Sequence, residues 1–242
     1  MRGGFPGSFL AGSDIASLEW RQSFIRSYLE RDMPLLGSRV PVETLRRFWT
    51  MLAHAQGGLW NAAGIASGLG MSGQSVGRYL DLFVDMLLVR RLAPWIGNAG
   101  KRMVRSPKVY MRDSGVTHAL LGITDAESLA GHPVVGASWE GFVIETLLAV
   151  SPAGTEAYFY RTASGVEADL VLVFPDKRRW VIEIKRTRAP KVERGFHTAC
   201  ADIAPEQAFV VYTGDESFFL SQGIEAIGVA DLARRLAKEM NV

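Results

Sequence analysis

The stretch from Ser138 to Lys185 constrains this chain most, because it combines three apolar segments with a few isolated charges. It predicts a helix (SWEGFVIETLLAV), two strands (AYFYRTASGVEADLVLVF) and a further strand (RRWVIEIKRT). One acid lies early on the helix (Glu140) and another lies at the head of a strand (Asp169). Glu183 and Lys185 stand two residues apart on the next strand, so their side chains share one face.

These residue types predict a site for metal-assisted hydrolysis of phosphodiester bonds. Magnesium prefers carboxylate and water oxygens, so Asp169 and Glu183 are the predicted metal ligands. The metal would polarise the phosphate and lower the pKa of its bound water. Lys185 would position that water or stabilise negative charge, and Glu140 would assist from the helix.

Each of these residues also has a purely structural interpretation. Glu183 and Lys185 alone would be an ordinary exposed ion pair. Asp169 alone could begin a strand, and Glu140 could be a favourable charge in the first turn of a helix. The ordered set favours the metal site, and the alternative is a structural charge cluster in a non-catalytic module.

The region 57–123 has the element order of a winged helix-turn-helix. A helix (NAAGIASGLG) leads through glycine to Ser72, which can cap a second helix (SGQSVGRYLDLFVDM), and a β-rich stretch follows. The second helix would expose Gln74, Ser75 and Arg78, which are the predicted contacts to DNA. A winged helix that packs against protein is an equally weighted alternative, because a fold does not fix a function.

A basic segment over residues 98–112 carries five cations and no acid. They are Lys101, Arg102, Arg105, Lys108 and Arg112. Such a patch can contact phosphates, and Lys101, Arg102 and Arg105 are predicted to bind DNA. The alternatives are a solvated wing and a latch for an acidic partner surface.

The chain order predicts a mixed α/β fold in three parts. The parts are a helical region (1–56), the winged helix (57–123) and an α/β domain (137–242), with a linker at 124–136. The α/β domain is predicted to contain helices at 138–150, 191–203 and 230–240, and strands at 157–162, 168–174, 179–186, 207–212 and 224–229. Residues 3–7 are predicted to form a loop because glycine dominates them.

Composition excludes several other classes of protein. The single cysteine, Cys200, rules out a disulfide or cysteine–zinc framework within the chain and suits a reducing cytoplasm. The longest apolar runs fall short of the roughly 20 residues that span a bilayer, so no membrane partner is expected. The sequence lacks a P-loop, so we expect no ATP site in this chain.

Seven motifs spread along the chain carry a family resemblance. They are RGGFP (Arg2–Pro6), WRQSFIRSYLERDMP (Trp20–Pro34), GGLWNAAGIASGLGMSGQSVGRYLDLF (Gly57–Phe83), KRMVRSPKVYMRDSGV (Lys101–Val116), SWEGFVIETLL (Ser138–Leu148), GVEADLVL (Gly165–Leu172) and VIEIKRT (Val181–Thr187). Together they resemble the C-terminal part of a bacterial and archaeal family of AAA-type ATPases that ends in a domain of unknown function. The resemblance implies a winged helix fused to a restriction-endonuclease-like PD-(D/E)XK domain. Its nuclease-like residues would be Glu140, Asp169, Glu183 and Lys185.

The resemblance also implies a motor that this sequence does not contain. In the family a P-loop ATPase module precedes the GGFP motif, so we expect a truncated gene, a fragment or a separated subunit with an ATPase partner chain. The predicted function is DNA binding with magnesium-dependent phosphodiester hydrolysis. The alternative is a non-catalytic regulatory or protein-interaction module of an AAA-type ATPase.

Overall fold

A computed structural model describes residues 1–35, 40–97, 101–221 and 223–239. The backbone divides into two compact units, of which the first comprises Met1–Arg91 and Val109–Gly141 and the second Leu92–Lys108 and Phe142–Val242. The predicted division at 1–56, 57–123 and 137–242 stays a prediction. The start of the predicted basic segment (98–100) and the last residue of the predicted helix 230–240 lie outside the described residues.

The first unit is built from helices. They are α1 (Pro6–Phe9), α2 (Asp14–Ser27), α3 (Met33–Leu35), α4 (Val42–His54), α5 (Ala62–Leu69), α6 (Gly73–Asp85), α7 (Ser114–Leu120) and α8 (Ala126–Ala130), and α9 (Val135–Ala149) begins there. A π-helical turn, Tyr28–Asp32, joins α2 to α3. The Phe83 ring packs edge-on against Phe48 and Trp49, at centroid distances of 5.3 and 5.4 Å, so aromatic contacts join α6 to α4.

Local side-chain chemistry fixes the turn between α5 and α6. Asn61 caps α5 by accepting a hydrogen bond from the Gly64 N–H at 3.0 Å. Gly70 ends that helix at a φ of 65°, a left-handed conformation that favours glycine. Ser72 then caps α6 by accepting from the Ser75 N–H at 3.2 Å. The predicted helix, glycine turn and serine cap are confirmed, and the winged-helix assignment stays a prediction.

One mixed sheet of eight strands confirms the predicted α/β class. The strands are β1 (Val89–Pro94), β2 (Lys108–Met111), β3 (Glu156–Arg161), β4 (Glu167–Val173), β5 (Arg179–Ile184), β6 (Gln207–Tyr212), β7 (Phe218–Ser221) and β8 (Ile224–Gly228), in the sheet order β2-β1-β3-β4-β5-β6-β8-β7. The central strands β3, β4 and β5 are antiparallel, and β5, β6 and β8 run parallel. The second unit also contains the end of α9, from Phe142, and the helices α10 (Arg194–Ile203) and α11 (Val229–Lys238).

An apolar cluster links α10 to the centre of this sheet. Phe196 and Ala199 of α10 belong to one buried cluster with Val171 of β4 and Val181 of β5. Val171 and Val181 are direct cross-strand partners, and neither is exposed. Burying each such side chain contributes roughly 1.5–3 kcal/mol, so β4 and β5 are held firmly together.

Three short elements correct the sequence prediction. Residues 3–7 were expected to form a loop, but α1 begins at Pro6, because proline is tolerated at the first position of a helix. The predicted linker 124–136 contains α8, which Asp125 caps by accepting from the Ser128 N–H at 2.8 Å. Strand β7 was not predicted. Within the described ranges, none of the helices combines the length and apolarity that crossing a bilayer requires.

Candidate functional site

Strands β4 and β5 bring two of the predicted acids together. Their register pairs Leu170 with Ile182, and continuing it by one residue sets Asp169 opposite Glu183. Opposite residues of antiparallel strands face the same way, with their β-carbons about 5 Å apart. The backbone N–H of Ile184 donates to Asp169 Oδ2 at 2.8 Å, which fixes that carboxylate. The two acids therefore lie side by side at one end of the hairpin.

Lys185 belongs to the same group of charges. Its Nζ lies 2.8 Å from Glu183 Oε1 and 3.0 Å from Glu193 Oε1, which confirms that Glu183 and Lys185 share a face. Burial raises the pKa of the Glu183 carboxyl, although the hydrogen bond from Lys185 offsets part of this effect. Burial acts to lower the pKa of Lys185, but its bonds to Glu183 and Glu193 outweigh burial and raise that pKa. Lys185 therefore stays charged in the neutral range.

Lys108 is the residue of this site that sequence reasoning assigned wrongly. It was placed with exposed cations, yet only 5% of its side chain is exposed. Its Nζ lies 2.6 Å from Glu167 Oε1 and 3.7 Å from Asp169 Oδ1, and Arg161 approaches Glu167 at 3.3 Å. The acids that neutralise Lys108 lie far along the chain, so no local pattern marks it as buried.

Glu140 lies in the first unit, whereas Asp169, Glu183 and Lys185 lie in the second. Its Oε1 accepts a hydrogen bond from the Tyr110 hydroxyl. Across the described ranges, no group of three or more His, Cys, Asp and Glu side chains is arranged to hold a metal ion. The role of Glu140 beside a metal stays a prediction.

The donor set fits a hard divalent cation through two carboxylates. Magnesium usually keeps several waters and takes one or two carboxylates from a protein, and Asp169 with Glu183 supplies that number. Glu183 already forms an ion pair with Lys185, so a metal ion bound by Glu183 would share that carboxylate with the Lys185 ammonium. The chemistry of the donors thus agrees with magnesium, while the ammonium groups compete with it.

The predicted DNA-contacting face of α6 is exposed as expected. Gln74 and Arg78 are exposed and Ser75 is half-buried, while Val76 and Leu80 face the core. Arg78 Nη2 lies 3.5 Å from Ser75 Oγ, and neither side chain is buried against the unit. The predicted exposure is confirmed for Gln74 and Arg78, Ser75 is less exposed than predicted, and contact with DNA stays a prediction.

The other predicted DNA contacts differ from one another. Arg102 and Arg105 are exposed. Lys101 instead lies 2.6 Å from Asp202 Oδ2, which also accepts a hydrogen bond from the Tyr160 hydroxyl at 2.6 Å. The ammonium of Lys101 is thus engaged within the second unit, and its contact with DNA, which stays a prediction, requires that this pair opens.

Comparison with known proteins shows the family of the chain. Residues 1–127 match the family described as "Domain of unknown function (DUF8612)", and residues 135–232 match "Domain of unknown function (DUF4143)". The first match covers more than half of the sequence, so the chain belongs to the DUF8612 family. The second match covers β3 to β8, and therefore includes Asp169 and Glu183.

The relatives are longer proteins. The uncharacterized proteins Rv2008c of Mycobacterium tuberculosis and Mb2031c of Mycobacterium bovis are each 44% identical over 227 residues, which is 94% of this chain and 51% of each relative. The chain thus spans about half the length of the curated relatives it matches. Among solved structures, a chain of the "Refined half-complex from tetradecameric assembly of Thermococcus gammatolerans McrB AAA+ hexamers with bound McrC" is 12% identical. The match covers 81% of this chain and 76% of that chain, at a TM-score of 0.35.

Proposed function

We propose that the second unit binds a divalent metal ion through Asp169 and Glu183 and hydrolyses phosphodiester bonds in DNA. The observation that carries this proposal is the pair of carboxylates on adjacent strands, with the Lys185 ammonium 2.8 Å from one of them. When bound, magnesium would polarise the phosphate and make its water more acidic. In this proposal the second unit is a PD-(D/E)XK-like domain and the first contains the winged helix.

The side chains of the site have different roles in this proposal. Asp169 is held in place by the Ile184 N–H, so it needs little reorganisation to bind a cation. Lys185 keeps its positive charge at neutral pH and can stabilise the negative charge that develops on phosphate. Glu140 would assist, as the sequence predicts.

In this proposal each unit contributes polar groups of its own that bind DNA. These are Gln74, Ser75 and Arg78 on α6, with Arg102, Arg105 and, once released from Asp202, Lys101. Phosphate contacts of this kind weaken as salt rises, because binding releases counterions from DNA. The single cysteine, Cys200, supports a cytoplasmic location for the protein.

Calorimetric titration with Mg²⁺ and Mn²⁺ tests the metal site directly. We expect the intact protein to bind metal, and Asp169→Asn and Glu183→Gln to lose that binding. Asp176→Asn is the matched control, because Asp176 lies in the turn at the opposite end of the same β4–β5 hairpin. The intact protein and Asp176→Asn should cleave a labelled DNA duplex, whereas Asp169→Asn and Glu183→Gln should not. If the intact protein binds no metal at millimolar concentration, the proposal is wrong.

A second function, that of a non-catalytic module of an AAA-type ATPase, is favoured by one specific observation. Lys185 already pairs with Glu183, and Lys108 lies beside Asp169, so the acids can serve as a structural charge cluster. This function predicts that metal has no effect on the protein and that an ATPase chain binds it. Co-purification with an ATPase chain, together with calorimetric titrations that show no binding of Mg²⁺ or Mn²⁺, would favour the module over the enzyme.

A further inference from the structure

The segment between β5 and α10, together with the first residue of α10, carries a group of cations that the proposed function has not used. The group consists of Arg186, Arg188, Lys191 and Arg194. All four side chains are exposed, and none is ion-paired to another described residue. Strand β5 ends at Ile184, so this segment begins at Lys185 and Arg186 follows that residue directly.

The backbone of this loop is anchored. Thr187 O accepts hydrogen bonds from the Thr213 N–H at 3.1 Å and from the Thr213 hydroxyl at 2.7 Å. The Thr187 hydroxyl accepts from the Ala189 N–H at 3.2 Å, and Pro190 is buried. Since these contacts hold the backbone while the cationic side chains reach solvent, the loop presents its charges from a fixed support.

A second basic segment lies at the same end of the sheet. The Val104 N–H donates to Arg161 O at 3.0 Å, and the Ala163 N–H donates to Arg102 O at 2.8 Å. These bonds attach the segment that carries Arg102 and Arg105 to the place where β3 ends and β4 is about to begin. Strand β5 ends there too, because it is antiparallel to β4. The carboxylate pair is therefore flanked by basic residues from two separate parts of the second unit.

We propose that Arg186, Arg188, Lys191 and Arg194 form a phosphate-binding rim that holds a nucleic-acid backbone across the carboxylate pair. The inference rests on the proposed function and assigns a surface that binds its substrate. Three of the four residues are arginines, whose planar guanidinium groups bind phosphate through two hydrogen bonds. Cations on both sides of the acids suit a polyanion that passes across them, because a long backbone offers phosphates to both sides at once.

Metal-free DNA binding tests the rim separately from catalysis. Fluorescence anisotropy with a labelled duplex of about 20 base pairs, in EDTA, gives the affinity between about 50 and about 200 mM salt. Two double variants, Arg186→Gln/Arg188→Gln and Lys191→Gln/Arg194→Gln, each remove two charges. Since each phosphate contact contributes about 0.9 to the slope of log affinity against log salt, each variant should lower that slope by about 2.

A matched control separates local contacts from net charge. Lys177→Gln/Lys238→Gln removes two exposed charges, of which Lys177 lies at the far end of the β4–β5 hairpin, and should keep the slope of the intact protein. Arg186→Lys/Arg188→Lys keeps the charge and should keep most of the slope.

Three results would overturn the rim. The first is an intact protein that does not bind duplex DNA, and the second is double variants that match the Lys177/Lys238 control. The third is polyglutamate that competes as well as DNA at equal charge, since it would assign the surface to acidic proteins. An intact protein that binds no duplex DNA would contradict both the rim and the proposed hydrolysis of DNA. Double variants that match the control would contradict the rim alone, because metal binding by Asp169 and Glu183 is measured separately.

Discussion

Replacing Lys108 with methionine tests whether its buried ammonium stabilises the site. Methionine keeps a long apolar stem in the same space but removes the charge near Glu167 and Asp169. It also removes the ammonium that lies 5.6 Å from the centroid of the Phe159 ring. In the variant, Glu167 and Asp169 would remain partly buried but would lose the attraction of the Lys108 ammonium.

The distances set the size of the expected loss. With an effective dielectric constant of about 20, attraction over 2.6 Å is worth about 6 kcal/mol and attraction over 3.7 Å about 4 kcal/mol. Desolvation of the ammonium offsets several kcal/mol of this attraction. Arg161 remains 3.3 Å from Glu167, whose side chain is 27% exposed, so the penalty is partly screened. We therefore expect Lys108→Met to lower the free energy of unfolding by about 3 kcal/mol.

Urea denaturation at pH 7, followed by circular dichroism, measures this loss. Lys177→Met is the control, because Lys177 is exposed on the β4–β5 turn and its loss should change stability by less than about 0.5 kcal/mol. Lys108→Met/Glu167→Gln should recover part of the loss, since it also removes a carboxylate that has lost one of its cations. A Lys108→Met protein as stable as the control, or a double variant no more stable than Lys108→Met, would refute the reasoning.

Two further predictions concern titration. Burial lowers the pKa of His118 to about 4, so the folded state favours neutral imidazole; stability is full above pH 6.5 and falls by about 3 kcal/mol as pH drops to 4. Between pH 7 and pH 4, the free energy of unfolding of His118→Gln should fall by about 3 kcal/mol less than that of the intact protein, as measured by urea denaturation. An equal fall in the two proteins would contradict this account. Burial, with the nearby charge of Glu183, raises the pKa of the Cys200 thiol to about 11. Iodoacetamide at pH 8 should therefore alkylate folded protein at least about a hundredfold more slowly than urea-unfolded protein, and equal rates would exclude this effect.

The parts of the fold that local patterns determine could be predicted from the sequence. The alternation of VIEIK places Glu183 and Lys185 on one face, and their ion pair confirms it. Ser72 marks the start of α6 because a capping side chain acts within one turn of its own helix. The Asp169–Glu183 pairing also follows from local chain geometry, because β4 and β5 form a hairpin with a short turn.

Contacts between distant parts of the chain could not be predicted in this way. The basic segment reads as a run of exposed cations, yet Lys108 is buried against Glu167 and Lys101 pairs with Asp202. Lys108 meets Glu167 of β4, and Lys101 meets Asp202 of α10, only in the folded protein, and no spacing in the sequence reveals either pair. The cations of residues 186–194 are exposed, as a run of charges in a sequence ordinarily is, so the sequence alone gives no reason to assign them a function. Their position after the strand that carries Glu183 becomes visible only in the fold.

The balance of charge at the site connects the buried lysine with the proposed chemistry. The ion pairs described above join four carboxylates, Glu167, Asp169, Glu183 and Glu193, to three cations, Lys108, Arg161 and Lys185. These seven groups by themselves sum to a charge of −1 when all are ionised. A divalent cation would reverse that charge, and a phosphodiester, which carries one negative charge, would bring it to neutrality. The lysines thus lower the repulsion that would otherwise keep a phosphate away from four acids, while leaving enough negative charge to attract a metal.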